Sequence, residues 1–264
     1  MEKECSGILK KLTNKKHVLF VKRGNTAVKL CLLLAKSLGR KKILIQDQGG
    51  WITFPQYINK LKLEQIDLKT DHGLVLPITL TPYKSDSAFM IHSAPAYCCL
   101  QPMKEILQIC KQNNILFFND ATGSVGTDRA KHGDIVFLSF GQHKPINMGH
   151  GACIATDNPD FYKFLKQNNP EFHIDFDGLY DRLRKLDKRL GKLSEIHKKV
   201  KEDLRGFNIV HREHNGINVI VKFDNEEQKQ NLIDYCKANE LDYRECPCYI
   251  KIKDPAISIE VKRK

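Results

Sequence analysis

Long hydrophobic runs are missing from this sequence of 264 residues. No apolar stretch reaches the roughly 18 residues that a membrane-spanning helix needs. Residues 1–16 are too polar to form the hydrophobic part of a signal peptide. These absences predict a cytoplasmic protein without membrane association.

Cysteine pairs with the spacing of a zinc site are also missing. Several of the nine cysteines lie among apolar neighbours, where a reduced thiol behaves as a small hydrophobic side chain: Cys31, Cys110, Cys153 and Cys236. The clusters Cys98-Cys99 and Cys246-Pro247-Cys248 lack the two separated C-x2-C pairs that zinc prefers. We therefore expect reduced thiols and no metal site.

Acidic residues are in the minority, with 31 Asp and Glu against 43 Lys and Arg, for a formal net charge of +12. Such a charge leaves nucleic-acid binding open. The lysines are spread along the chain in the manner typical of solvated helix faces, so we do not favour it. A hydrophobic content of 41% with only 10 prolines is close to that of soluble globular proteins, and we expect order nearly throughout.

Short apolar runs alternate with amphipathic stretches between Val18 and Thr156. This alternation predicts a mostly parallel central sheet with helices on both faces. The predicted strands are 18–21, 42–45, 88–91, 115–119, 135–139 and 152–155, and the predicted helices are 26–38 and 101–113. Almost every strand is followed by glycine, proline or polar residues, at the edge where ligands bind in open α/β sheets.

The pattern changes after Asp157. Residues 175–205 carry leucines at three- and four-residue steps, which predicts one long amphipathic helix linking two domains. Beyond it we predict strands at 216–223, 249–253 and 256–262 and a helix at 225–239 that begins at Asp224 or Asn225. The predicted organisation is a large α/β domain over residues 1–172 and, over 173–264, the linking helix with a small α+β domain.

Asp120 and Lys144 follow two successive predicted strands, so both side chains would reach one pocket. This pairing suits pyridoxal 5'-phosphate (PLP), because a lysine forms a Schiff base with its aldehyde while a carboxylate keeps its pyridine nitrogen protonated. Taken alone, any one lysine of this chain is normally a solvated surface charge. The surrounding residues favour the chemical role.

Two further features lie near the same edge of the sheet. Gly24, Asn25 and Thr26 join a strand to a helix, whose free N–H groups would hold a phosphate, although an N-cap role for Asn25 or Thr26 explains the same residues. Trp51 lies in a loop after the second strand, where its ring would either stack on a flat cofactor or pack under the loop.

Over roughly residues 18–170 the sequence resembles the DegT/StrS-type sugar aminotransferases, which are PLP enzymes of fold type I. The motifs that carry the resemblance are Gly24-Asn25-Thr26-Ala27, Trp51, Ile91-His92, Asn119-Asp120-Ala121, Gly133-Asp134-Ile135, Ser139-Phe140-x-x-x-Lys144 and Gly149-x-Gly151-Ala152-x-Ile154-Ala155-Thr156. It implies Lys144 as Schiff-base lysine and proton carrier, Asp120 on the pyridine nitrogen and Trp51 on the ring. It also implies Gly24 to Thr26 with Ser139 on the phosphate.

The resemblance further implies a homodimer with a shared active site, and transfer of an amino group from an amino-acid donor to a keto acceptor such as a nucleotide-linked sugar. One departure is Gly123, where the family usually has a glutamine near the PLP 3'-hydroxyl; Thr122 or Ser124 is the nearest polar substitute. The pair His143-Lys144 also occurs in class V enzymes such as cysteine desulfurases, so sulfur or tRNA-linked amino-acid chemistry stays an alternative. A non-catalytic nucleic-acid-binding relative is a third. His92, His143 and His150 are left out of the predicted site, because ordinary roles explain each equally well.

Overall fold

Seven strands form the larger of two sheets in the computed structural model, which describes residues 1–264. They are β1 His17–Val21, β2 Lys42–Gln46, β3 Glu64–Leu68, β4 Ser87–His92, β5 Leu116–Asp120, β6 Ile135–Ser139 and β7 Ala152–Thr156. Their order is β1-β7-β6-β5-β4-β2-β3; β2 to β6 are parallel, while β7 runs antiparallel to both β1 and β6. The mostly parallel sheet is confirmed.

All six strands predicted in this region are present, each within one residue of its predicted ends. The strand that sequence analysis missed is β3, with the sequence Glu-Gln-Ile-Asp-Leu. It lies at the edge of the sheet and is largely exposed. An exposed edge strand need not be apolar, so it lacks the pattern by which a buried strand is recognised.

Helices cover both faces of this sheet. They are α1 Glu2–Thr13, α2 Gly24–Ser37, α3 Thr53–Lys60, α4 Met103–Gln112 and α5 Pro159–Asn168. Strand β1 shows the two faces directly, because alternate side chains of a strand point to opposite sides. Leu19 and Val21 pack in the core cluster that contains α2, whereas Val18 and Phe20 pack in the cluster that contains α1.

The predicted long helix over 175–205 is wrong, because the structure has two helices there: α6 Phe176–Arg184 and α7 Leu186–Asp203. The break falls at Lys185, which ends one helix and begins the next. Leu183 packs on the same core as α1, while Leu193 packs on the core of the smaller sheet. The leucine spacing continues through the break, so the sequence pattern does not reveal it.

The smaller sheet has the order β10-β11-β9-β8 and is antiparallel throughout. Its elements are β8 Asn208–Ile209, β9 Val219–Lys222, α8 Glu226–Ala238, β10 Tyr243–Cys246 and β11 Ala256–Ile259. Of the two predicted caps, Asp224 and Asn225, it is Asn225 that caps α8, by accepting a hydrogen bond from Gln228 N at 2.9 Å. No helix of the structure has both the length and the apolar character required to cross a membrane.

The predicted strand at 249–253 is wrong. This segment is a turn, in which Lys251 N donates to Cys248 O at 2.9 Å and Cys248 N donates to Ile252 O at 2.8 Å. On its outer side β11 pairs instead with β10, an edge strand whose first three residues are exposed. Like β3, this edge strand is largely exposed and lacks the apolar pattern by which a buried strand is recognised. The turn brings Ile250 and Lys251 to the pocket described below.

Candidate active site

A pocket of about 410 Å³ opens where β4, β5 and β6 end. The predicted site residues that line it are Gly24, Asn25, Trp51, Asp120, Ser139 and Lys144. Thr26, in the first turn of α2, is half-buried and is not among the lining residues. The structure therefore brings six of the seven predicted residues to one cavity.

Asp120 is the last residue of β5, and its position is set by the next turn of the chain. Its Oδ1 accepts hydrogen bonds from the backbone N and the hydroxyl of Thr122, at 3.1 and 2.5 Å. The Thr122 hydroxyl in turn accepts a bond from Ser139 N at 3.0 Å, at the end of the neighbouring strand. The carboxylate is 6% exposed, and its Oδ2 has no protein donor. One oxygen is thus held while the other is left for a ligand.

Lys144 follows β6 and carries its ammonium group between two aromatic rings. Nζ donates a hydrogen bond to the Tyr97 hydroxyl at 2.8 Å and lies 4.6 Å from the centroid of the Trp51 ring. Burial lowers the pKa of Lys144, although the carboxylates of Asp120 and Glu260 act in the opposite direction. A larger share of neutral amine results, and neutral amine is the nucleophilic form.

The start of α2 is an uncapped helix N-terminus at the wall of the pocket. Its N-cap is Arg23, which makes no side-chain cap bond, and the first turn has no acidic residue. Asn25 Oδ1 instead accepts a bond from Trp51 Nε1 at 3.0 Å. Neither Asn25 nor Thr26 is therefore the N-cap. The backbone N–H groups of Thr26 and Ala27 donate to Arg23 O, so those of Gly24 and Asn25 stay available to an anion.

Gly24 permits a close approach between this helix start and the end of β6. A Cβ at position 24 would lie 3.0 Å from the Cβ and 3.1 Å from the Oγ of Ser139. Only glycine leaves room between them without displacing the serine. The first turn of α2 and the Ser139 hydroxyl consequently border the same space.

The ring of Tyr97 occupies the space that a side chain at position 123 would need, where this chain has glycine and the family usually has glutamine. A Cβ on Gly123 would lie 2.8 Å from Ala94 Cβ and 2.8 Å from Cδ1 of the Tyr97 ring. The two predicted substitutes are engaged elsewhere, Thr122 with Asp120 and Ser124 with the hydroxyl of Ser93 at 2.6 Å. The hydroxyl beside Lys144 therefore belongs to Tyr97.

Sequence analysis missed Tyr97 because its placement depends on an unusual backbone. Ala96 and Tyr97 have φ values of 50° and 66°, in the left-handed region that non-glycine residues seldom adopt. The Tyr97 carbonyl accepts bonds from the backbone N of Ile217 and Asn218, at 2.8 and 2.9 Å. A distant segment thus holds the turn, and nothing in the local sequence indicates it.

The end of the chain supplies a second group that sequence analysis missed. Lys251, Glu260 and Lys262 line the pocket and are 3%, 2% and 5% exposed. Glu260 pairs with Lys251 at 2.5 Å through Oε1 and with Lys262 through Oε2. Burial raises the pKa of Glu260, but the two ammonium groups outweigh this effect and lower it to about 2. In the sequence these three residues lie in segments that read as ordinary strands, and no motif marks them as residues of a site.

Histidines lie both inside and outside the pocket. His92, His143 and His150 line it, and the ring of His92 contacts that of Tyr97 edge-on, with 4.8 Å between the ring centroids.

Outside the pocket, His72 Nδ1 pairs with Asp71 at 2.6 Å, and His72 Nε2 pairs with Asp254 at 3.1 Å. The second of these pairs joins the loop after β3 to the end of the chain.

The thiols form no disulfide. All nine are free; eight are buried and Cys248 is half-buried. None of them lines the pocket. Burial raises the pKa of Cys246 to about 11, and the pKa of Cys99 is also raised, by its hydrogen bond with Cys98 and by burial. Cys99 and Cys246 are therefore not activated nucleophiles.

Two family models match the chain. The model of the DegT/DnrJ/EryC1/StrS aminotransferase family matches residues 3–169, and the model of the MJ1341 family C-terminal domain matches residues 187–263. No curated protein matches the sequence. The residues near the end of the chain that line the pocket thus fall outside the aminotransferase match.

Solved structures share the fold at low sequence identity. A DegT DnrJ EryC1 StrS aminotransferase from Brucella abortus is 12% identical, with a TM-score of 0.76 over 98% of this chain and 84% of its own. Helicobacter pylori PseC, an aminotransferase involved in the biosynthesis of pseudoaminic acid, is 14% identical, with a TM-score of 0.75 over 97% and 84%. Sphingomonas wittichii serine palmitoyltransferase is 14% identical, with a TM-score of 0.76 over 97% and 70%.

Proposed function

Because the chain belongs to the DegT/DnrJ/EryC1/StrS aminotransferase family and has its fold-type I architecture, we propose that it attaches PLP to Lys144 and transfers an amino group. The donor is an amino acid and the acceptor carries a keto group. The observation that supports this proposal best is the meeting of Lys144, Asp120 and the uncapped start of α2 in one cavity of about 410 Å³.

The residues present fit the cofactor. When bound, PLP supplies an aldehyde that bonds to a lysine amine and a ring that accepts electrons from the substrate. Its phosphate would lie at the first turn of α2, where Gly24 leaves the space and the Ser139 hydroxyl adds a donor. The side-chain amide of Asn25, which also lines the pocket, would complete this phosphate-binding site.

Asp120 would hold a proton on the ring nitrogen. A carboxylate suits this role when it is fixed in position, because an unfixed side chain would lose part of the interaction to reorganisation. The two bonds from Thr122 fix Asp120, and its Oδ2 is left to accept the bond from the ring. Thr122 is therefore a positioning residue for Asp120, and Trp51 would cover one side of the ring.

Lys144 would carry the proton between the substrate carbon and the cofactor. This role requires an amine that is neutral at working pH, and the lowered pKa of Lys144 supports it. Tyr97 and Trp51 flank the amine on two sides. Tyr97 would also take the place of the family's glutamine, because its hydroxyl is the polar group nearest to Lys144 where Gly123 offers none.

The cysteine desulfurase alternative is weaker in the structure. That reaction needs an exposed, nucleophilic thiol that reaches the substrate. Eight of the nine thiols are buried, and the half-buried Cys248 does not line the pocket. No specific observation favours a nucleic-acid-binding role either.

A homodimer is part of the proposal, since the resemblance to fold-type I enzymes implies one. Size-exclusion chromatography with light scattering on the PLP-loaded protein tests it directly. A mass of twice 30.4 kDa supports the dimer. A monomer that transfers amino groups at full rate would refute a shared active site.

The decisive experiment is a half-reaction with glutamate. Purified protein loaded with PLP should be yellow, and added glutamate should convert the bound cofactor to pyridoxamine phosphate while 2-oxoglutarate appears. Release of sulfide from cysteine without that conversion would support the desulfurase instead. A colourless protein that does not take up PLP would overturn both. The keto acceptor, a nucleotide-linked sugar in the first instance, is then sought by incubating the aminated form with candidates.

A further inference from the structure

One wall of the pocket carries more positive than negative charge. Lys251 and Lys262 share the single carboxylate of Glu260, and all three side chains are almost completely buried. Arg263 lies beyond them, with its Nε 4.0 Å from Glu260 and its guanidinium 3.8 Å from Asp242. Two ammonium groups therefore face one carboxylate, with one positive charge in surplus.

Glu260 has no capacity to neutralise this surplus. Its Oε1 accepts bonds from Asn218 at 3.1 Å and Ser258 at 2.9 Å in addition to the ion pair with Lys251. Its Oε2 takes the bond from Lys262. The carboxylate is fully engaged on the protein side of the cluster.

The ammonium groups, in contrast, keep unused donors. Each ammonium has three N–H groups, and the hydrogen bond that each makes is the one to Glu260. Burial and the charge of Lys251 lower the pKa of Lys262 to about 7 even though Glu260 opposes them. A buried charge that is incompletely paired is unfavourable, and an anion in the pocket would relieve it.

The cluster lies beside the proposed reactive amine. Lys144 Nζ and Lys262 Nζ are 5.1 and 5.0 Å from the centroid of the same Tyr97 ring, and Lys251 Nζ is 5.8 Å from it. An anion bound by Lys251 and Lys262 would therefore lie close to Lys144. It could be one group of a substrate whose reacting atoms are at Lys144.

We propose that Lys251 and Lys262 bind the carboxylate of the amino-acid donor and of the keto acid that it becomes. The substrate carboxylate bridges the two ammonium groups from the pocket side, as Glu260 bridges them from the protein side. A carboxylate matches the surplus of one charge, whereas a phosphate monoester carries nearly two at neutral pH. The proposal rests on the proposed function, because it takes Lys144 as the site of reaction.

Binding of an unreactive probe tests it without turnover. Glutarate has the carboxylates of glutamate but no amino group, and glutaramide has the same shape without charge. Calorimetry on the PLP-loaded protein should show binding of glutarate and at least about tenfold weaker binding of glutaramide, the loss expected for one charge-assisted hydrogen bond. Equal binding of the two, or tighter binding of methyl phosphate than of glutarate, would overturn the proposal.

Four variants, one of them a control, identify the groups responsible. Lys251→Met and Lys262→Met should each weaken glutarate binding by about tenfold or more, whereas Lys253→Met, on the same turn but 55% exposed and outside the pocket, should not. Glu260→Gln frees both ammonium groups and should strengthen binding. Unchanged affinity in both pocket variants contradicts the proposal, and should Glu260→Gln not fold, the methionine variants decide.

The visible spectrum of bound PLP separates this proposal from the proposed function. A protein that attaches PLP and reacts with glutamate, yet binds glutarate equally in all variants, keeps its aminotransferase function and loses only the carboxylate site. A protein without PLP absorbance fails at the earlier step.

Discussion

Lys144 Nζ donates a hydrogen bond of 2.8 Å to the hydroxyl of Tyr97, which lies 47 positions earlier in the chain. The pKa of Tyr97 is raised well above its usual value by burial, so this hydroxyl stays neutral and accepts the bond from the ammonium form of the lysine. The tyrosine thereby takes part in setting the protonation of the proposed reactive amine.

Tyr97→Phe removes this acceptor and keeps the ring. The ammonium form of Lys144 loses stabilisation, so its pKa should fall further below the usual lysine value. Attachment of PLP requires the neutral amine, and the pH at which its rate is half-maximal should therefore shift downward. Absorbance of the attached cofactor, followed after mixing at a series of pH values, measures the shift. Tyr180→Phe, outside the pocket, is the control, and an identical midpoint in both variants would contradict the prediction.

The identity of the PLP lysine is open to direct chemical test, because three lysines approach Tyr97. Borohydride reduction of the PLP-loaded protein, followed by peptide mapping, should place the label on Lys144. Lys144→Ala should abolish both the label and the visible absorbance, with Lys253→Ala as the unaffected control. Label on Lys251 or Lys262 would assign the reactive amine to the end of the chain instead.

The Asp120→Asn variant should still bind PLP but should react more slowly with glutamate. The amide has nearly the same shape and keeps an oxygen for Thr122, but it cannot stabilise a positive charge on the ring nitrogen. We expect the glutamate half-reaction to slow by about 100-fold or more, the usual effect of removing one preorganised electrostatic contact. Stopped-flow absorbance at saturating glutamate measures it. A rate within a few-fold of the unchanged protein would remove Asp120 from the ring nitrogen.

Gly123→Gln restores the family's residue and should destabilise this chain. Its side chain would overlap the Tyr97 ring, at an expected cost of about 1–3 kcal/mol in the free energy of unfolding. Urea denaturation measures this cost, with Gly7→Gln as control because a Cβ at Gly7 meets nothing within 4 Å.

The same substitution in a Tyr97→Ala background should cost less, since the ring that it overlaps is gone. Additive effects of the two changes would mean that the two positions do not compete for space.

Carboxylate binding should weaken as the pH rises through the pKa of Lys262, which is about 7. Below that pH the side chain is charged and attracts glutarate, and above it the side chain is increasingly neutral. Of its neighbours, Glu260 stays ionised because its pKa is about 2, and Lys144 would be occupied by PLP in the proposed loaded form. Calorimetry between about pH 5.5 and 9 shows the dependence, and Lys262→Met should flatten it. An affinity that rises with pH would contradict the assignment.

Local patterns were sufficient for much of the larger sheet and part of the site. Buried strands such as Ile135–Ser139 are recognisable because both faces of a central parallel strand are apolar, and a strand end marks where a ligand meets the sheet. Asp120 and Lys144 could be paired from the sequence for this reason. The polar edge strands Glu64–Leu68 and Tyr243–Cys246 carry no such pattern and were missed.

By itself, then, the sequence determined the mostly parallel sheet, the glycine at the start of α2 and the placement of Asp120 and Lys144 at one edge of the sheet, since each depends on neighbouring residues and on the period of a strand or helix. Only the tertiary structure decided the bend at Lys185 and the meeting of Tyr97 with Lys144. It also decided which charges line the pocket, because Lys251, Glu260 and Lys262 reach Lys144 through packing of the smaller sheet, more than 100 positions along the chain. Such contacts are set by burial and long-range hydrogen bonds, which no local spacing records.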